Sequence, residues 1–247
     1  MLGHASGSAH PTTSPPDLPQ GSPMRTAFLA ATVCLFASSI PAQTANQPKV
    51  QPGPGEPDWS LILEKRYGLR MFDDLANPVK TTPEGTPGLF KKAGPGPVTY
   101  TPEIALGLEV KITGGYYLAD GKKPDRKLVW SYQYKNTTKD VETGEHLPPP
   151  LEPKISTRFD PGDAPFGLWV GNDQFKDEVY SEPARVAAYS PRLAKQPYKA
   201  MIYPYRDKVT GKLVPHSYLI GWEYSTNDDF QDVVCRVDNV ELVESKP

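Results

Sequence analysis

The chain has 247 residues, with 27 Lys+Arg against 29 Asp+Glu and a formal charge of −2. That balance, with no Lys/Arg-rich run, excludes a strongly basic nucleic-acid binder. Apolar residues at 38% and aromatics at 10% are enough for a core and exclude wholesale disorder, while 29 Pro and 20 Gly argue for many turns and few long helices.

Residues 1–23 are polar and Ser/Pro/Gly-rich. They are expected to be disordered, or to precede the true start at Met24. Met24-Arg25 and the run TAFLAATVCLFASSI then read as the basic and apolar parts of a signal peptide, 24–42, with cleavage after Ala42. This places the protein in the secreted, periplasmic or cell-surface compartment. The apolar run is shorter than the ~20 residues that span a bilayer, so no membrane span is expected in the mature chain. Val33 before Cys34 argues against a lipoprotein signal. Cleavage removes Cys34 and leaves Cys235, so no intramolecular disulfide is expected. Cys235 lies in the apolar run DVVCRV and reads as a buried, inert thiol.

Residues 43–57 form a Pro/Gly linker. Across 58–99 an irregular segment is expected, with one short helix that Asp58 caps and Gly68 stops. The pattern turns to β at Tyr100, and 100–245 is read as the folded domain. Leu106, Leu108, Val110 and Ile112 alternate. LVWSYQYK is β-branched and aromatic between turn signals. FGLWV is a short buried strand, and YKAMIYPYRD pairs with PHSYLIGWEY as a hairpin. DFQDVVCRVDNVELV closes the domain as a strand pair or one bent strand. Short strands, frequent turns and no βα alternation predict an all-β fold, an antiparallel β-sandwich or jelly roll.

The chemistry concentrates in Ser217–Val237. By the period-2 rule Tyr218, Ile220, Trp222 and Tyr224 share one face, and Leu219 and Glu223 the other. On the following strand Val233, Cys235 and Val237 oppose Asp232, Val234 and Arg236. A hairpin brings Glu223 near Asp232, with Asn227, Asp228 and Asp229 in the loop between them. No Lys or Arg stands between Lys212 and Arg236 to neutralise this cluster. Close carboxylates repel unless something compensates them. An oxygen-only donor set suits Ca2+, and the lack of His or Cys in the loop disfavours zinc. Ordinary Asx-turn chemistry is the plain alternative.

The run W-E-Y-S-T-N-D-D-F-Q-D-V-V resembles the C-terminal signature of a family of exported bacterial domains of unknown function. That signature reads F-E-D, a short Gly/Asn/Asp loop, then D-[FY]-N-D and V-V or V-F. Glu223, Asp229, Phe230 and Asp232 match it, whereas Tyr224 and Gln231 replace an acid and an amide. The close match covers about residues 217–237, and a looser one reaches RFDPGDAPFGLWVGND. The resemblance implies a calcium-associated β-sandwich module attached to secreted or surface proteins; the reading here is a non-catalytic module with a structural, adhesive or ligand-binding role. The resemblance names no activity.

Other features are weighed beside it. Asp160, Asp163, Asn172 and Asp173 read as two ordinary turns rather than a second acidic loop on the same cation. Tyr116, Tyr117, Trp130, Tyr132, Tyr134, Trp169, Tyr203 and Tyr205 supply aromatic surface for a carbohydrate-binding module, with a polysaccharide or cell-surface component as partner. Each residue taken singly reads better as core. Glu223 with Asp232 as a glycosidase pair is a third reading, and no enzyme is expected. No G-x-S-x-G or H-E-x-x-H occurs, and His146 and His216 have no recognisable nucleophile. Asn136-Thr137-Thr138 is a glycosylation sequon.

Overall fold

The computed structural model describes residues 88–105, 110–121, 123–139 and 147–244. The predicted signal peptide, linker and Asp58 helix lie outside these residues, as do Leu106, Leu108 and His146. Among the described residues eleven strands form two antiparallel sheets: β1 (Leu89–Lys92), β2 (Val98–Ala105), β3 (Lys111–Leu118), β4 (Lys127–Gln133), β5 (Arg158–Phe159), β6 (Phe166–Asn172), β7 (Val179–Tyr180), β8 (Ala200–Arg206), β9 (Leu213–Trp222), β10 (Val233–Asp238) and β11 (Val240–Leu242). One sheet runs β11-β1-β6-β3-β4 with β7 beside β6, and the other runs β5-β2-β10-β9-β8. The expected all-β sandwich is the observed class.

The two inner faces share one core, and aromatic pairs tie them together. Tyr100 meets Trp130 at 5.5 Å between ring centroids, Tyr116 stacks on Phe159 at 4.2 Å, and Phe90 meets Tyr218 at 6.2 Å. The period-2 assignment of the last hairpin holds. Ile220, Trp222, Tyr224, Val233, Cys235 and Val237 all belong to this core. Burial pushes the Cys235 thiol well up, as an inert thiol requires. Leu219 and Val234 are buried on the opposite face.

On β2 the register with β10 shifts between Val234 and Cys235, which pair with Ile104 and Pro102. Glu103 is thus the extra residue, next to a proline that has no N–H for the ladder. The bulge exchanges faces. Val98 and Tyr100 point into the core before it, and Ala105 does so after it.

Three elements differ from expectation. Strand β1 falls within the segment read as irregular. It has four residues and only Phe90 is buried, so no alternation develops. The closing DFQDVVCRVDNVELV is neither a simple pair nor one bent strand, because β10 and β11 belong to different sheets. The chain changes sheet at Asn239, which adopts φ 64°. Helix α1 (Pro183–Tyr189) was not anticipated, although Pro183 in its first turn and the run P-A-R-V-A-A is a legible start signal. It is tied to the outer face of the six-stranded sheet. Tyr117 Oη donates to Glu182 at 2.8 Å, and Arg185 donates to the carbonyls of Gly121 at 2.7 Å and Ala119 at 3.0 Å. Among the described residues no helix is long and apolar enough to cross a membrane.

Candidate functional site

Strands β9 and β10 pair through Trp222 and Val233, so the next residue outward on each, Glu223 and Asp232, meets its counterpart at the mouth of the hairpin. The loop 224–231 folds back over this mouth. Asp228 and Phe230 hold it in that shape with φ of 60° and 56°, a left-handed conformation that is costly for phenylalanine. Phe230 is fully buried, and this anchor offsets the strain.

Glu223, Asp229 and Asp232 each place an oxygen within 4.8 Å of the others. Glu223 and Asp229 are buried and Asp232 is half-buried. Backbone amides of the loop point into the group. Ser225 N donates to Glu223 Oε1 at 2.5 Å, Asp229 N to Glu223 Oε2 at 3.0 Å, and Tyr224 N to Asp232 Oδ2 at 2.6 Å. The Asn227 amide donates to Asp229 Oδ2. Burial, then Asp232 and Asp229, drive the Glu223 carboxyl far above its usual range.

The five residues singled out by sequence therefore divide. Glu223, Asp229 and Asp232 come together, and Asn227 joins them through Asp229. Asp228 is drawn aside to Lys199, whose ammonium lies 3.4 Å from Asp228 Oδ1 and donates to the Ser225 carbonyl at 2.6 Å. Lys199 is fully buried immediately before β8. The sequence between Lys212 and Arg236 holds no Lys or Arg, and the loop is served from elsewhere. The counter-charge comes from outside the hairpin sequence, along the neighbouring strand, where Glu223 N also bonds to Lys199 O at 3.1 Å. Arg192 adds a second outside contact, with its guanidinium 2.6 Å from Tyr224 O. Neither residue is marked by spacing. The register of the β8–β9 hairpin is the signal that leads to Lys199.

The second acidic stretch resolves into turns. Asp160 pairs with Lys92 at 2.9 Å and accepts from Gly162 N at 2.9 Å, while Asn172 Oδ1 accepts from Gln174 N and Phe175 N. Of the aromatic residues weighed for sugar binding, Tyr117, Trp130, Tyr132 and Tyr203 are fully buried, and Trp169 and Tyr205 nearly so. Comparison with protein-family models, curated proteins and solved structures finds no match.

Proposed function

We propose that this is an exported, non-catalytic β-sandwich module whose last hairpin binds Ca2+ through Glu223, Asp229 and Asp232. The observation that carries the reading is the approach of three carboxylates to within 4.8 Å, two of them buried. Lys199 supplies one positive charge; it pairs with Asp228, and its field only partly offsets the burial and carboxylate repulsion that raise the Glu223 carboxyl. A hard divalent cation compensates such a set with oxygen ligands alone, and backbone carbonyls or water complete the six to eight positions that calcium takes. The same burial favours a ligand role over glycosidase chemistry, because Glu223 and Asp229 already accept loop amides and present no open face to a polymer. The resemblance to exported calcium-associated domains points the same way. The role that follows is structural or adhesive, with the ion closing the β9–β10 hairpin.

The test is a thermal melt of the chain in EDTA and in rising calcium. Mass action gives about 2.7 kcal/mol at a hundredfold excess over Kd, or roughly 5–10 °C for a domain of this size. Asp232→Ala is expected to abolish the response. A wild-type melting temperature indifferent to calcium rejects the cation site and leaves the loop as turn chemistry.

A further inference from the structure

We propose that a cleft over Trp169, on the outer face of the six-stranded sheet, binds a neutral oligosaccharide. It is remote in sequence from the acidic hairpin, and the proposal does not rest on calcium. The cleft has a volume of about 510 Å³ and is open to solvent.

Trp169 lines the cleft, and two glycines let its indole approach the sheet closely. Gly115 lies directly across from Trp169 on β3, and Gly171 lies two residues along β6. A Cβ on Gly115 would sit 2.8 Å from Trp169 Nε1, and one on Gly171 would sit 3.4 Å from its Cζ3. Without those side chains the indole packs close against the sheet, and Nε1 donates to the Lys127 carbonyl at 3.3 Å. Trp169 is only 7% exposed because Arg126 lies over it, and with that side chain displaced the edge-anchored indole becomes a surface on which the C–H face of a pyranose stacks.

Arg126 covers the indole. Its guanidinium carbon lies 5.5 Å from the ring centroid and is paired with Glu178, both partly exposed. An exposed pair of this kind contributes little to stability and is readily exchanged for ligand hydroxyls. The guanidinium would then donate to the sugar and the carboxylate accept from it.

Asn172 adds a directed group. Both loop amides that it caps, Gln174 N at 3.0 Å and Phe175 N at 2.8 Å, are bound by Oδ1. That fixes the side chain and leaves Nδ2, buried at the cleft wall, without a protein acceptor. A ligand oxygen supplies one. Charge selects the ligand class. Lys123 and Arg126 face Asp125, Asp173 and Glu178, so the cleft has no positive excess for a phosphate or a polyanion. Mixed donors and acceptors over one aromatic plane suit an uncharged polyol.

The experiment titrates cellohexaose, xylohexaose, mannohexaose and chitohexaose into the full chain, up to about 1 mM, by calorimetry and tryptophan fluorescence. It is run both in EDTA and in calcium, so its outcome is separate from that of the cation site. At least one sugar is expected to bind. Asn172→Asp keeps the acceptor for the two loop amides and removes the donor, and it is expected to weaken that sugar about tenfold. Trp169→Phe, checked for folding by circular dichroism, is expected to weaken binding as much or more and to remove the fluorescence change. No binding by any of the four sugars overturns the proposal. Binding that both variants leave intact also overturns it, because the sugar then sits elsewhere.

Discussion

Burial and the fields of Asp232 and Asp229 raise the Glu223 carboxyl from 4.5 to about 8, so the folded protein without a cation holds this proton more tightly than the unfolded chain does. The contribution of this group to stability is therefore complete below pH 4.5 and is lost as pH rises through about 8. In EDTA, melting temperatures are expected to fall across that window. Glu223→Gln has no proton to lose, and its profile should lack this limb. Parallel profiles for wild type and variant would refute the assignment. Calcium competes with the proton, so its stabilising shift should be larger at pH 9 than at pH 5. Lys199 gives a second test of the same charges. Lys199→Met removes a buried ammonium from Ser225 O and Asp228. It is expected to cost about 2–4 kcal/mol in EDTA, since Asp228 is partly solvated and recovers some of the loss. The same change makes the cluster more negative, so the calcium-induced rise in melting temperature should exceed the wild-type rise. An equal or smaller rise would mean that the three carboxylates do not hold the ion.

The corner between β10 and β11 is where one residue decides the path of an element. Asn239 adopts φ 64°, and its Nδ2 reaches the carbonyls of Gly94, Gly96 and Pro97 at 3.4, 3.3 and 3.2 Å, in the connection by which β1 leads into β2. Two sheet crossings are thus fastened to each other. Asn239→Gly keeps the left-handed backbone and loses the amide, whereas Asn239→Ala loses both. Urea melts should place the alanine variant about 1–2 kcal/mol below the glycine variant. Equal losses would assign the whole effect to the amide. This corner also marks the limit of what sequence exposes. The period-2 pattern identified β9 and β10 and put Glu223 opposite Asp232, because one buried face enforces alternation over many residues. It is silent on a three-residue strand such as β11, whose sheet depends on a single backbone angle. The same holds for β1, where one buried Phe90 has no apolar neighbour at i±2. Lys199 was missed for a different reason. Its partners lie across a strand pair and not along the chain, so sequence proximity says nothing about them.

The chain passes between the sheets at both ends of the described domain, from β1 to β2 and from β10 to β11, and the two end strands pair with each other through Phe90 and Leu242. Neither sheet is closed by local sequence. The six-stranded sheet needs β11, which arrives only after β10 has completed the other sheet. The core has the same character, since Trp130 packs against Tyr100 and Phe166 against Phe159 across the interface. Exposing one inner face therefore strips the other, and the two sheets are expected to unfold as one cooperative unit. Trp130 and Trp222 report from opposite sheets, and both are fully buried. Urea unfolding followed by the fluorescence of two variants, one keeping only Trp130 and one keeping only Trp222 with the other three tryptophans replaced by Phe, should give for each one midpoint that coincides with its circular-dichroism midpoint. Deleting residues 239–247 removes the corner and β11, and it should lower both midpoints together rather than melt the six-stranded sheet alone. A biphasic transition, or a tryptophan signal that outlasts the circular-dichroism change, would show that the sheets are separable. A calcium ion at the β9–β10 mouth would then stabilise only the sheet that holds it. In a single cooperative unit, an ion bound at one hairpin raises the stability of every strand.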